Sequence, residues 1–581
     1  MESNPAVSSN EGLRKRCLLL ALLIAGAVFV VFSPVLSNGF VNWDDDVNFL
    51  NNSAWRGLGP ENLKWMFTTF HLGHYIPLSW LSLGADYAVW GMNPFGYHLT
   101  SLLLHAANAV LFFFCLTFLL EAATAERDPA ERQWAAFIGA LFFALHPLRV
   151  ESIAWVTARR DLVSGFFALS SAICYLRYVR EGARAVYLAA LALFACAVLG
   201  RESAAALPLV FLVLDVYPLR RITAGSWKRV LLEKLPFLAI SAVAAFLAVL
   251  ATRSIVCLPG LSETGFSSRL GLAAYSFAFY LWKTAVPLTF SHIYAIPAGF
   301  GIFSPAALAS AALIAVLVAG AWRLRHIYPA VPAALSAYAL FILPAGGVAA
   351  TISLAYDRFS YLSCLGLAAL FSGLWLTANK TWGRRQAALL FSALLLLAGA
   401  RSFAQTFVWR DAASLWTNAI KHSGGHFRAQ ALAARGKVYL EQGQLDLASA
   451  DFEHAISIKL IDGAVLGLAQ AQMLSGRPDE AGKILDFMLQ NRILPADALQ
   501  MKGVLAFRGG DLKSATHYFD EALSLSPEDC RICNNRGLAL EKSGDLAGAS
   551  RDYSRAMALC PGHAQAAQGL SRVAATSSYI P

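Results

Sequence analysis

Five groups of ionisable residues stand where a polypeptide rarely places charge without use. They are Trp43-Asp44-Asp45-Asp46; His71, His74, Tyr75, Pro77 and Trp80, followed by His98 and His105; His146 to Glu151, continuing to Arg159-Arg160-Asp161; Arg201-Glu202; and Tyr356-Asp357-Arg358. Adjacent carboxylates suit two tasks. One can take the proton of a hydroxyl while its neighbour holds it, or together they can bind a divalent cation, with Asp44, Asp45 and Asp46 as the candidate ligands. Arginine suits phosphate, because its planar fork of donors meets two oxygens at once. Each group also has a plainer reading: a solvated aspartate run, structural ion pairs such as Arg149–Glu151 or Arg201–Glu202, and a helix-packing donor in His105. Their recurrence at the edges of apolar blocks favours a site, since charge there is costly.

Apolar blocks must position these residues. The chain has 581 residues, 57% hydrophobic and 14% charged, where soluble domains carry about 25% charge. Residues 17–404 are nearly continuous apolar runs, whereas 411–581 read as a soluble domain. The net charge of +10 comes from short basic clusters between apolar runs rather than one stripe, which argues against nucleic acid. Spans are predicted from 17–36, 98–120, 133–147, 161–178, 186–199, 203–217, 231–251, 303–321, 328–349, 359–377 and 386–404. The apolar stretch 269–288 contains Lys283 and is followed by Pro287. If it does not cross, the basic clusters at 14–16, 127–132, 177–184, 220–234, 323–325 and 380–385 all lie inside. The expectation is therefore an all-α protein with about eleven spans, its N-terminus inside and its C-terminus outside. All five charged groups then share the outer face. The organisation expected is a tail over 1–16, a membrane domain over 17–404 with external loops 37–97 and 253–300, a linker over 405–429, repeats over 430–565 and a tail over 566–581.

The repeats show as a period of 34. Gly503, Gly510, Asp511, Leu512, Ala515, Ala522 and Pro527 recur as Gly537, Gly544, Asp545, Leu546, Ala549, Ala556 and Pro561. Small residues let paired helices approach, and the proline ends each pair, so the stretch resembles tetratricopeptide repeats in about four copies. Such stacks present a concave surface suited to peptide, here a protein partner. Cys560 ends a helix whose antiparallel partner begins near Cys530 and Cys533, so a disulfide from Cys560 to one of those two is expected in an oxidising compartment.

The ordered set of motifs carries a resemblance. Phe40-Val41-Asn42-Trp43-Asp44-Asp45, Tyr75-Ile76-Pro77-Leu78-Ser79-Trp80, His146-Pro147-Leu148-Arg149-Val150-Glu151, Leu214-Asp215-Val216-Tyr217-Pro218 and Asp357-Arg358-Phe359-Ser360-Tyr361-Leu362 resemble those of the transmembrane and tetratricopeptide-repeat-containing proteins. That family includes protein O-mannosyltransferases and is similar in architecture to GT-C glycosyltransferases. The resemblance implies transfer of a sugar, with mannose as one candidate, from a polyprenyl-phosphate donor to a Ser/Thr or other hydroxyl on the extracytoplasmic face. It implies Asp44 or Asp45 as base, and donor-phosphate contacts from Arg358, Arg159 and Arg201. Supporting contacts are expected from His74, Tyr75, His146, Glu151 and Asp357, with the carrier tail near 269–297. The repeats would bind the acceptor protein. No cofactor is required beyond the lipid-linked donor, though a divalent metal is compatible with the aspartates. A composition poor in lysine and rich in Ala and Leu points to a bacterial inner membrane, with loops and repeats in the periplasm. The alternatives are a membrane-anchored repeat scaffold, which would tolerate loss of the aspartates, and a transporter, for which 17–404 lacks an internal duplication.

Overall fold

The computed structural model describes residues 5–254, 266–296, 300–343 and 355–577. These residues are helical, with one isolated bridge between Tyr294 and Ala355 and no strand among them. Contacts divide the chain into two units, Met1–Asn418 and Ala419–Pro581.

The first unit runs through α1 (Pro5–Phe32), α2 (Pro60–Thr68), α3 (Pro77–Trp90), α4 (Pro94–Ala123), α5 (Pro129–Leu145), α6 (Val150–Ala154), α7 (Arg159–Glu181), α8 (Arg184–Gly200) and α9 (Leu207–Val216). It continues with α10 (Trp227–Leu232), α11 (Leu235–Arg253), α12 (Phe266–Ala285), α13 (Pro305–Leu324), α14 (Ala330–Ile342), α15 (Ser360–Trp382), α16 (Arg384–Thr406) and α17 (Ala412–His422). Proline opens α2, α3, α4, α5 and α13, where its missing N–H costs nothing and its fixed φ already suits a helix.

Among the described residues seven helices are long and apolar enough to cross a membrane, and an eighth qualifies if α5 and the segment Pro147–Ala154, bent by 55°, count together. Besides α5, with 17 residues, three predicted spans fall on helices shorter than the ~20 residues a ~30 Å core asks for. They correspond to α8, with 17 residues, α9, with 10, and α14, with 13. The stretch 328–349 also runs into residues outside the described set. The stretch 269–288 is helical only through Ala285, as part of α12, which is not among the seven. Residues 255–265 and 297–299 of the predicted loop 253–300 lie outside the described residues.

The core of this unit gathers on α4, which packs against α1, α5 and α7 through Phe112, Phe113 and Leu116. Close approach is built in at Gly139 of α5, where a Cβ would come within 2.9 Å of the Ala368 carbonyl of α15.

Away from the five charged groups, α7, α9 and α11 are pinned by ionic contacts in the core. Asp215 and the side chain of Lys234 are fully buried, with Nζ 2.7 Å from the carboxylate. Tyr175 donates its hydroxyl to Asp215 at 2.7 Å, and Arg221 reaches the same carboxylate at 3.0 Å. Removing one partner of a buried pair strands the other, at about 3–5 kcal/mol. Asp215→Asn is therefore expected to lower the melting temperature of the detergent-purified chain steeply. Adding Lys234→Met should restore much of it. A single variant as stable as the wild type would show the cluster to be inert.

The second unit stacks helix pairs: α18 (Gly425–Glu441) with α19 (Leu445–Ile458), α20 (Asp462–Leu474) with α21 (Pro478–Gln490), α22 (Pro495–Arg508) with α23 (Leu512–Leu525) and α24 (Cys530–Ser543) with α25 (Leu546–Leu559), closed by α26 (Ala564–Ser577). The stretch 566–581, read from sequence as a tail, is thus helical through Ser577. The recurrent glycines have a packing reason. A Cβ on Gly503 would lie 2.5 Å from Phe519, and Cβ atoms on Gly537 and Gly569 would lie 3.0 and 2.4 Å from Tyr553. Tyr553 thus fills the space that two successive glycines leave open, as Phe452 does between Gly436 and Gly467. Asp511 and Asp545 cap their helices by accepting from the N–H groups of Ser514 and Gly548. Cys530 bonds Cys560, resolving the two pairings open in the sequence, while Cys533 is a buried free thiol.

Candidate functional site

Loop 33–50 carries the acidic run, and its three aspartates face three ways. Asp44 is exposed, with φ of 67° in the left-handed region that aspartate tolerates better than most residues. Asp45 is 1% exposed and wholly engaged. Its Oδ2 accepts from the Val41 N–H at 3.0 Å, and its Oδ1 accepts from the Thr157 hydroxyl at 2.7 Å and the Thr157 N–H at 3.3 Å. Burial pushes its carboxyl up to about 7 in spite of these bonds. Asp46 caps the next turn, accepting from the Val47 N–H at 3.0 Å. Side chains that diverge in this way do not present a common ligand face. Among the described residues no group of three or more His, Cys, Asp or Glu stands close enough to hold a metal ion.

Asp44 lines a cavity of about 230 Å³ together with His71, His74, Trp80, Thr157 and Arg160. His74 lies 3.5 Å from Glu202. Burial, and then the Arg160 guanidinium, hold its imidazole below the usual range, so it is neutral at pH 7 and serves as a hydrogen-bonding wall.

The arginines separate sharply. Arg159 and Arg160 begin α7 about 100° apart around its axis, so they face different neighbours. Arg159 is fully buried and spent on structure. It pairs with Asp86 at 2.8 Å and donates to Ser101, Ser82 and the Tyr97 carbonyl at 3.0, 2.9 and 2.5 Å. Arg201 pairs with Asp161, and Arg358 pairs with Glu151 while lying over the rings of Trp155 and Tyr356 at 4.8 and 4.0 Å. Arg160 is 7% exposed, makes no ion pair or hydrogen bond among the described residues and leaves Nε unpartnered. A buried guanidinium outside any ion pair, on the wall of a cavity, has the donors and charge to receive an anion, although Glu202, Asp44 and Glu151 already attract it at longer range.

The remaining sequence candidates have structural partners. His146 accepts from the Leu148 N–H at 3.3 Å and lies 3.1 Å from the Thr284 carbonyl, so both ring nitrogens are used. Tyr75 donates to the Phe67 carbonyl at 3.1 Å and does not line the cavity. Asp357 accepts from the Tyr294 hydroxyl at 2.8 Å, tying the segment before Ile296 to the start of α15. The geometry therefore gathers Asp44, His74 and Arg160 at one cavity. It sets Arg201 and Arg358 beside a smaller void of about 10 Å³, whose wall also includes Phe341 and Leu362. Sequence reasoning did not single out Thr157, which anchors Asp45, and it named Arg159 as a phosphate ligand where the structure spends Arg159 on Asp86 and leaves Arg160 at the cavity. Nothing in the sequence distinguishes two adjacent arginines before their helix is placed.

Comparison with known proteins extends this picture. A family model described as tetratricopeptide repeat matches residues 429–461 and 496–529. Human protein O-mannosyl-transferase TMTC2 is 36% identical over 104 residues, covering 18% of this chain and 11% of the relative. Human protein O-mannosyl-transferase TMTC1 is 29% identical over 220 residues, covering 34% and 24%. The matched stretch thus spans about a tenth to a quarter of these relatives' own length. The crystal structure of ArnT from Cupriavidus metallidurans bound to undecaprenyl phosphate aligns at 15% identity over 81% of this chain and 80% of that one, with a TM-score of 0.31, too low to carry an argument. With its apolar helices and repeat-bearing C-terminal unit, the chain is an integral membrane protein with tetratricopeptide repeats whose curated relatives include protein O-mannosyl-transferases of the TMTC family.

Proposed function

We propose that the chain transfers a sugar from a polyprenyl-phosphate donor to a hydroxyl acceptor on the extracytoplasmic face. The observation that carries this reading is the pairing of an exposed carboxylate, Asp44, with an unpaired buried guanidinium, Arg160, in one cavity. Asp44 takes the proton of the acceptor hydroxyl as its oxygen bonds to the anomeric carbon. The bond from that carbon to the phosphate oxygen breaks, its electron pair leaves on the phosphate, and Arg160 holds the resulting charge. A single displacement inverts the anomeric configuration. No metal step is needed, because a guanidinium supplies the positive charge.

A long apolar groove supports a lipid-borne donor. About 230 Å³ of space, walled by apolar side chains of α4, α7, α9, α14 and α15, extends from Thr124 and Tyr217 to Phe341 and Leu362. The last two residues also wall the void beside Arg201 and Arg358. This groove, rather than the region 269–297, suits a carrier tail. The Cys530–Cys560 disulfide supports an oxidising compartment for the repeats, which in a bacterium is the periplasm. The repeats would present the acceptor protein and raise its local concentration.

The test is glycoproteomics of the envelope from a deletion strain, complemented with wild type or Asp44→Asn. Hexose-mass adducts on Ser/Thr peptides that vanish on deletion and return only with wild type support the reading. A full set of adducts in the deletion strain, with its phenotype rescued by Asp44→Asn, makes the chain a membrane-anchored repeat scaffold instead.

A further inference from the structure

The loop bearing Asp44 is held by a segment far away in sequence, through which the chain leaves α16. The Gly39 N–H donates to the Arg410 carbonyl at 2.9 Å, and Asn38 Nδ2 donates to the Thr406 carbonyl at 3.4 Å. The indole N–H of Trp416 donates to Asn42 Oδ1 at 2.7 Å. Trp43, immediately before Asp44, meets Trp416 edge to face at 5.7 Å, and His292 is wedged 4.9 Å from each. Trp409 stacks on Trp155 at 5.9 Å, and Trp155 in turn lies beneath Arg358. The exit segment thus reaches residues 38, 39, 42 and 43 of the loop and, through Trp155, the Arg358 pair.

We infer that Trp416 is a positioning residue for the Asp44 loop, setting the carboxylate against the cavity through Asn42 and Trp43. Asp45 fixes the loop from within, through Val41 and Thr157, but this leaves Asn42 and Trp43 to be held from outside. Trp416 supplies both kinds of hold, a directed hydrogen bond to one and an aromatic contact with the other. This inference rests on the transferase reading only where it concerns catalysis; the tethering of the loop is independent of that reading.

Three variants of the full chain test it: Trp416→Phe, which keeps a ring and loses the donor; Trp416→Ala, which loses both; and Asn42→Ala, which removes the acceptor from the loop side. Hydrogen exchange of peptides covering 38–46 is expected to rise about tenfold in Trp416→Phe and Asn42→Ala, and more in Trp416→Ala. The Trp416→Phe/Asn42→Ala double variant should be no worse than its worse parent, because both remove one bond. Transfer assayed with a polyprenyl-phosphate hexose should lose about tenfold to a hundredfold in kcat, with KM for the donor unchanged, because a misplaced base slows the chemistry while Arg160 is untouched. Wild-type exchange over 38–46 in Trp416→Phe and Asn42→Ala overturns the inference, as does a rise in donor KM at constant kcat. Faster exchange in these variants, together with no transfer by the wild type, upholds the tether and overturns the transferase.

Discussion

Asp44→Asn is expected to cut sugar transfer by about 10²–10⁴-fold while leaving expression, melting temperature and hydrogen exchange of the loop unchanged. The side chain is exposed and makes no hydrogen bond to the protein through its carboxylate among the described residues, so an isosteric amide removes the base and little else. Asp45→Asn should also abolish transfer, for a different reason. Asp45 receives three donors on two oxygens, and an amide nitrogen must face at least one of them, donor against donor. That variant should loosen the loop and speed exchange at Val41 and Thr157. The two variants therefore separate a base from the residue that holds it. Reversed outcomes, with a rigid dead Asp45→Asn and an active Asp44→Asn, would exchange the roles. Because burial holds Asp45 at about 7, above its unfolded value of 3.8, its contribution to folding is full in acid and is lost as pH rises through about 7. The catalytic loop needs the carboxylate as acceptor, so transfer should fall in the opposite direction, as pH drops below about 7. A pH–rate profile flat from 6 to 8 would remove Asp45 from that role.

The charged region was legible because buried charge beside apolar runs is expensive, and its recurrence in five places marked the region. The repeats were legible because Gly503 and Gly537 face Phe519 and Tyr553 across the same gap, so one constraint prints the same spacing twice. What sequence could not supply was the direction in which each side chain points. Asp44, Asp45 and Asp46 are one type in a row, yet one is exposed, one is buried under three donors and one caps a turn. Arg358 and Arg201 read as free phosphate ligands until Glu151 and Asp161 are found against them. The contacts of Trp416 with Asn42 and Trp43 join residues some 374 positions apart and leave no local pattern. The short helices α8 and α9 end where Arg201 and Tyr217 turn to extended backbone, a break that hydropathy does not record.

Arg160→Met should cut transfer by about 10²–10³-fold without weakening the fold, and the pairing of those two results is the sharper test. A buried guanidinium outside any ion pair carries a desolvation cost and the repulsion of Arg358, which its attraction to Glu202, Asp44 and Glu151 offsets only in part, so replacing it with an apolar chain of similar length should leave the melting temperature equal or higher. Arg159 next to it provides the contrast. Arg159→Met would strand Asp86 and cost about 3–5 kcal/mol, with a matching fall in the amount of folded protein. If Arg160 holds the donor phosphate, undecaprenyl phosphate at about 100 times its Kd should stabilise the wild-type chain by about 2.7 kcal/mol and leave Arg160→Met unmoved. Arg160→Lys should recover part of the shift and part of the rate, because a point charge replaces the attraction but not the two-oxygen grip. In kcat the loss for Arg160→Met is expected near 10²–10³-fold, the size seen when one donor to a developing charge is removed. A variant that binds the lipid phosphate like wild type, or that melts as early as Arg159→Met, would return Arg160 to the scaffold. The phosphate would then have to compete with Glu151 for Arg358 or with Asp161 for Arg201.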